Sequence, residues 1–281
     1  MSISEPLENS AQSKLIANAV SQTLQQNSTA ALATLIEAPA NVGAKLLVGE
    51  TGVSASPVGS LGDAALDRAA TAQALQFLES RADIRIVQVK EFAPELVELS
   101  EAKILFERIQ AEPRLVICGA GHVGASLARL ASQLGYRATL IDDRAEFVSH
   151  EHFPEQNIEL VAAEDWSEAV QQAVGNGHGV SIAIVTRGHS EDERCLRAAI
   201  AIDVNYIGLI GSKRRTNIVL QRLRDSGAAD ERLEKVHAPV GLDIGAVTPE
   251  EVALAIMAEI VAVRRGGKGG SLSEWRRPNR W

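Results

Sequence analysis

The sequence predicts an α/β protein in two parts, a carboxyl-terminal domain built on a doubly wound parallel sheet and a smaller amino-terminal α+β domain. Three observations carry this. Arg114-Leu115-Val116-Ile117-Cys118 is an apolar β run that passes straight into Gly119-Ala120-Gly121-His122-Val123-Gly124, a G-x-G-x-x-G turn that opens a helix. From there to Arg265 short apolar runs alternate with helical patterns, as a parallel sheet with helices on both faces requires. Before Pro113 the pattern differs, with short apolar runs bounded by Pro and Gly around few helices.

In chain order, residues 1 to 25 read as a helix, with Leu15, Ile16, Val20 and Leu24 near helical spacing behind a polar, mobile start. Residues 29–36 and 44–48 read as strands, Gly49-Glu50-Thr51-Gly52 as a turn, 58–63 as a loop, 64–79 as a helix and 84–89 as a half-buried strand. The α+β domain spans 1–107, and a Gln-Ala-Glu-Pro connection leads to the second domain, 113–265.

The first helix of that domain carries Val123, Leu127, Leu130 and Leu134, so one apolar face lies on a sheet, and Gly135 stops it. Residues 138–141 form a strand ending in Asp142-Asp143; further strands are expected at 158–162, 180–186 and 206–210. Helices alternate with them at 166–174, from 188 to 201 and at 216–225. Before the last helix, 252–265, Thr248 reads as N-cap with Pro249 first and Glu251 three on, a capping box. The Gly-rich, then basic and aromatic stretch 266–281 reads as a flexible tail.

Each glycine of the turn has its own physical task. Gly119 permits the tight turn, Gly121 lets backbone N–H groups approach an anion, and Gly124 lets the helix lie near the strand, whose N-terminus favours a phosphate. Asp142 stands about twenty residues past the glycines, where a Rossmann unit carries its ribose-binding carboxylate. In such a sheet ligands bind beyond the carboxyl ends of the strands, and the loops placed there hold His122, Arg187, His189 and Gly211-Ser212-Lys213-Arg214-Arg215. Ser212, Lys213 and Arg214 offer a hydroxyl and cations to an oxyanion. His122 and His189 are expected to face one another across the crevice, as a general acid, a metal pair or hydrogen-bonding groups. No third ligand at metalloprotease-like spacing accompanies them, so no protein-bound metal is expected, and no catalytic residue is assigned. Cys118 and Cys195 read as packing residues.

A hydrophobic content of 46% is ample for two cores, and a formal charge of −8 argues against broad nucleic-acid or anionic-membrane binding. Two cysteines build no disulfide framework. Met1-Ser2-Ile3-Ser4-Glu5-Pro6 lacks a basic region followed by an apolar stretch, and no run of about 18 apolar residues occurs. A cytoplasmic protein is expected; whether it pairs as a homodimer the sequence leaves open.

Four segments in order, RLVICGAGHVG (114–124), TRGHSEDE (186–193), YIGLIGSKRR (206–215) and VHAPVGLDIGAVTPEEVALAIMAEIVAVRR (236–265), resemble the XdhC/CoxI family of xanthine dehydrogenase accessory proteins. In the smaller domain Val42-Gly43-Ala44-Lys45-Leu46 and residues 59–67 are similar to the family's Gly-Ala-Lys stretch and Gly-Thr-Ile-Gly-Gly-Gly-x-Leu-Glu loop. Gly62-Asp63-Ala64 departs from the Gly-Gly-Gly or Gly-Gly-Cys usual there, replacing a backbone surface with side chains and adding an anion. The resemblance implies a protein that carries the molybdenum cofactor (molybdopterin) without using it. It would protect the cofactor while a cysteine desulfurase supplies the terminal sulfur, then deliver it to a molybdenum hydroxylase such as xanthine dehydrogenase. The alternative is an NAD(P)-dependent oxidoreductase, with Asp142 on an adenosine ribose and His122 or His189 as an acid.

Overall fold

The computed structural model describes residues 5–26, 28–50, 56–80, 82–177 and 179–273. The expected polar start, the Thr51-Gly52 half of the turn and the basic, aromatic end of the tail lie outside the described residues. The chain divides into two compact units, Met1–Ala111 and Glu112–Trp281. Among the described residues no helix is long and apolar enough to cross a membrane.

In the first unit, α1 (Glu5–Gln25) leads into β1 (Ala30–Glu37), β2 (Lys45–Gly49), β3 (Val58–Ser60), α2 (Ala64–Glu79), β4 (Ile84–Gln88), the one-turn α3 (Val89–Phe92) and β5 (Lys103–Ile109). The strands form an antiparallel sheet in the order β3-β2-β1-β5-β4. Leu66, Ala70, Ala74 and Phe77 make one stripe of α2, and it packs on Ala31, Ala33, Leu46, Ile104 and Phe106. The alternate residues of the same strands, Leu32 and Leu47, meet Ile16 and Val20 of α1 on the opposite face. The interior strand β5, between β1 and β4, is not expected from the sequence. Lys103, Glu107 and Arg108 flank its apolar residues and hide the period, while Ile104 and Phe106 have no solvent exposure. β3 likewise replaces part of an expected loop, because its pairing with β2 rather than its composition makes it a strand.

The second unit runs β6 (Arg114–Cys118), α4 (His122–Gln133), β7 (Arg137–Asp142), β8 (Ile158–Ala162), α5 (Trp166–Val174), β9 (Val180–Ile184), α6 (His189–Ile200), β10 (Tyr206–Leu209), α7 (Lys213–Asp225), the short α8 (Asp230–Leu233), β11 (Val236–His237) and α9 (Pro249–Arg265). Its sheet is wholly parallel in the order β8-β7-β6-β9-β10-β11, so the strand before the glycine turn is central, as a doubly wound Rossmann-like sheet demands. Val170 of α5, Leu196 of α6 and Val219 of α7 cover one face, over Val116, Ile182 and Leu209. Leu127 and Ala131 of α4 and Ile256 and Ile260 of α9 cover the other, over Leu115, Ile117 and Leu140. Burial on both faces is why β6 and β9 read as unbroken apolar runs. The capping box of α9 forms as the sequence specifies: Thr248 Oγ1 accepts from the Glu251 amide at 3.3 Å and Glu251 Oε2 from the Thr248 amide at 3.0 Å. β11, only two residues long, is not expected from the sequence, and α7 begins at Lys213 rather than Thr216.

The burial of β5 has a measurable consequence. Phe106 meets Phe77 and Phe92 with ring centroids 6.0 and 6.5 Å apart. Phe106→Ala should destabilise the first unit by about 3–5 kcal/mol. Hydrogen exchange is expected to show lost protection over β1 and β5 with β6 to β9 unchanged; a uniform loss over both units would show that they unfold as one.

Candidate functional site

Strand order reverses between β6 and β9, and beyond the carboxyl ends of the strands there lies a crevice of about 340 Å³. Gly119, Gly121, His122 and Val123 line it after β6, Asp142, Asp143 and Arg144 after β7, and Trp166 at the start of α5. Val185, Thr186, Arg187 and Glu191 follow β9, Ile210, Gly211 and Arg215 follow β10, and Pro249 opens α9.

The three glycines separate by what a side chain would meet. At Gly119, φ +112°, a Cβ would stand 2.6 Å from the Val185 carbonyl oxygen, and at Gly124 it would stand 1.8 Å from the Gly119 oxygen. The fold itself requires both to be glycine. Gly121 has φ −67° and ψ −175°, extended backbone open to any residue, and a Cβ there meets nothing within 4 Å. Its lack of a side chain relieves no clash inside the fold; it leaves part of the crevice lining as bare backbone at the N-terminus of α4.

Asp142 is 2% exposed, and its carboxylate is engaged within the protein. Oδ2 accepts from the Ala120 amide at 2.7 Å and Arg144 Nη2 at 2.9 Å; Oδ1 accepts from the Arg144 amide at 3.0 Å and Arg144 Nε at 2.8 Å. All four acceptor sites of a carboxylate are thereby used, so the expected ribose contact has no lone pair to rest on. Asp142 instead clamps the glycine turn to the end of β7. Burial pushes its carboxyl up, yet the Arg144 guanidinium and the Ala120 and Arg144 amides together hold it below the ordinary carboxylate value. Arg144 in turn lies 3.6 Å over the Phe147 ring.

Two further ion pairs line the crevice. Arg187 Nη2 meets Asp143 Oδ2 at 2.9 Å, and Arg215 Nη2 meets Asp192 Oδ2 at 2.5 Å. Asp192 has no solvent exposure and its Oδ1 accepts from Thr186 Oγ1 at 2.6 Å. Burial raises its carboxyl, against the lowering by the Thr186 and Arg215 hydrogen bonds. The sequence places Thr186 and Arg215 in loops at this edge of the sheet without naming a partner for either, and gives Asp192 no role. The readable signal was Asp192 sharing a helical face with Cys195, Leu196 and Ala199, since a charge on an apolar stripe must find a partner.

Of the residues expected at the site, Gly119, Gly121, His122, Asp142 and Arg187 come together around the crevice, and Gly124 packs directly behind them. His189, Ser212, Lys213 and Arg214 are exposed and are not among the residues that line it, so of the two histidines expected there only His122 does. Ser212 caps α7, accepting from the Arg215 amide at 3.2 Å, and the helix start turns Arg215 inward in place of Lys213 or Arg214. Cys118 and Cys195 are buried together in the core, and their contact, then burial, pushes the Cys195 thiol up. In the first unit Asp63 accepts from the Ala65 and Leu66 amides at 2.9 and 2.8 Å, so the departure at Gly62-Asp63-Ala64 is the N-cap of α2. Among the described residues no group of three or more His, Cys, Asp or Glu side chains could hold a metal ion.

The Asp142 clamp generates a pH signature. Its folded pKa is depressed, so its stabilisation is present above the unfolded value of about 3.9 and is lost as pH falls through the lower folded value. Asp142→Asn, which breaks a buried pair, should lower stability at pH 7 by about 3 kcal/mol, with the gap to wild type closing below about pH 4. Urea unfolding at pH 7 and pH 3 checks this; an equal gap at both would show that ionised Asp142 is not the clamp.

Two family models match the chain, that of the XdhC Rossmann domain over residues 115–260, more than half its length, and that of the XdhC and CoxI family over residues 23–89. The chain is 35% identical over 167 residues to the uncharacterized protein YqeB of Escherichia coli (strain K12), covering 59% of this chain and 30% of that protein. It is 28% identical over 162 residues to a probable xanthine dehydrogenase subunit of Bacillus subtilis (strain 168), covering 58% of this chain and 46% of that one. The match thus spans less than half the length of either relative. A crystal structure of a xanthine dehydrogenase from Bacillus halodurans shares the fold, with a TM-score of 0.50 at 17% identity over 92% of this chain and 98% of the other. With a Rossmann-like sheet, a glycine turn at its switch point and both family models matched, the chain belongs to the XdhC/CoxI family.

Proposed function

We propose that this protein is a xanthine dehydrogenase accessory factor. It carries the molybdenum cofactor in the crevice of its second unit, supports sulfuration by a cysteine desulfurase, and hands the cofactor to a xanthine dehydrogenase-type hydroxylase without turning over a substrate itself. One observation carries the reading: Gly121 presents bare backbone at the mouth of α4, where no clash inside the fold requires it to lack a side chain. A pterin phosphate suits that surface, since backbone N–H groups and the positive end of a helix favour a dianion. The crevice falls within the size range of small-molecule sites, about 300–1,000 Å³. His122 and Arg187 stand where they can contact the cargo, while His189, Ser212, Lys213 and Arg214 follow β9 and β10 at the same edge of the sheet as its rim. Family membership supports the class of cargo, and the name borne by the Bacillus subtilis relative supports the class of recipient. The dehydrogenase reading lacks its central group, because the carboxylate of Asp142 is committed within the protein.

Gly121→Val tests the carrying observation. Extended backbone accepts valine, so the thermal midpoint should stay within about 2 °C, the effect of a few tenths of a kcal/mol. Bound cofactor, read as pterin fluorescence after acid oxidation of the purified protein, should fall about tenfold or more. Equal pterin in both proteins would make the turn purely structural. Delivery is read by adding the protein to a cofactor-free xanthine dehydrogenase, and sulfuration by adding it to the desulfo enzyme, with a cofactor source and a cysteine desulfurase present. Hydroxylase activity should rise over time, and no gain over a control without the protein would overturn the proposal.

A further inference from the structure

We infer that Asp143 is an internal stand-in for the anion of the crevice ligand, and that Arg187 is the one crevice arginine that changes partner when the ligand binds. This rests on the proposal that the crevice holds a phosphate-bearing cargo. The three arginines that line the crevice among the described residues are already paired, Arg144 with Asp142, Arg215 with Asp192 and Arg187 with Asp143. An anion arriving there meets no guanidinium without a carboxylate partner: Arg144 gives Asp142 both Nε and Nη2, whereas Arg187 and Arg215 each give theirs Nη2 and keep further N–H donors, the Nε of Arg215 being without a partner, so a two-oxygen grip on either contends with its carboxylate for Nη2. Taking Arg144 or Arg215 would strand a carboxylate that is 2% or 0% exposed, and an uncompensated buried charge strongly opposes the exchange. Arg144 is further fixed by two hydrogen bonds to Asp142 and by the ring of Phe147. Asp143 and Arg187 have side-chain exposures of 31% and 52%, so water solvates Asp143 when the pair opens. Asp143 also keeps a cation, since Arg144 Nε lies 4.0 Å from its Oδ1.

Position agrees with exchangeability. β7 and β9 flank β6, so the Asp143–Arg187 pair runs across the carboxyl end of β6, where Gly119 and Gly121 present their backbone. A phosphate on that turn would lie beside the Arg187 fork, which can serve two of its oxygens once Asp143 lets go. Asp143 therefore sets affinity by competition: it holds Arg187 in place before the cargo arrives and takes it back when the cargo leaves.

The probe is the fluorescent oxidised pterin that acid and iodine release from a molybdenum hydroxylase, used with its phosphate and again after phosphatase treatment, titrated into the full chain. Asp143→Asn should bind the phosphorylated probe about two- to fivefold more tightly, a gain that a damaged fold does not produce. Arg187→Ala should bind it more weakly, and the double variant should match Arg187→Ala, with the Asp143→Asn gain gone. The dephosphorylated probe should be indifferent to both substitutions. An unchanged affinity in Asp143→Asn, or a gain that persists without Arg187, overturns the exchange. Gly121→Val separates the two levels: if it weakens binding while the Asp143 and Arg187 variants do not, the exchange alone fails, and if none of the three matters, the crevice reading fails with it.

Discussion

The contact of α4 with the turn beneath it is the constraint on which the second unit depends. A methyl group at Gly124 would lie 1.8 Å from the Gly119 oxygen, so the helix can rest on the loop only as backbone against backbone. That closeness aims the first turn of α4 at the crevice, seats Leu127 and Ala131 on Leu115 and Ile117, and leaves α9 to pack beside α4 over the same face. Gly119 needs its positive φ for the same turn, because the chain must double back beside Val185 and Thr186 of the neighbouring strand's loop. The geometry of the proposed phosphate site is therefore a by-product of how tightly helix, turn and sheet are stacked.

The electrostatics of the crevice follow from burial. Asp142 and Asp192 are deep enough that each must be satisfied by the protein, and the groups within reach are arginines from the loops and the amides of the turn. Both carboxylates thus support the architecture of the site. Only the outer layer, with Arg187, Asp143, His122 and Glu191, has the solvent access that lets partners exchange. A site stiff at its base and adjustable at its mouth suits the proposed task of holding a cargo and releasing it.

The first unit answers a different question. Asp63, the residue that sets this loop apart from its family pattern, accepts at Oδ1 from the first amides of α2, while Asp67 accepts from the Leu61 amide at 2.6 Å and the Ser60 hydroxyl at 2.7 Å. Two carboxylates thereby hold residues 60 to 66 against the start of a helix. The anion that looked like an obstacle to an acidic cofactor is neutralised in part by the helix end it caps.

The sequence by itself determined the second unit nearly whole. Val123, Leu127 and Leu130 at helical spacing, the buried apolar runs before Gly119 and Thr186, and the Thr248-Pro249-Glu251 cap are local signals, and the parallel sheet with its central first strand followed from their alternation. It also placed Gly119, Gly121, His122 and Arg187 at one edge, because in a parallel sheet every loop that follows a strand falls on the same side. Tertiary structure alone decided what each charged group would do. Asp142 turned inward to Ala120 as well as to neighbouring Arg144, and Arg215 rather than Lys213 or Arg214 entered the crevice, because the contacts of Asp142 with Ala120 and of Arg215 with Asp192 span 22 and 23 residues that spacing does not record. The strand β5 belongs with them: Ile104 and Phe106 have a two-residue period that surrounding charges obscure, and only pairing with β1 on one side and β4 on the other makes it an interior strand of the sheet.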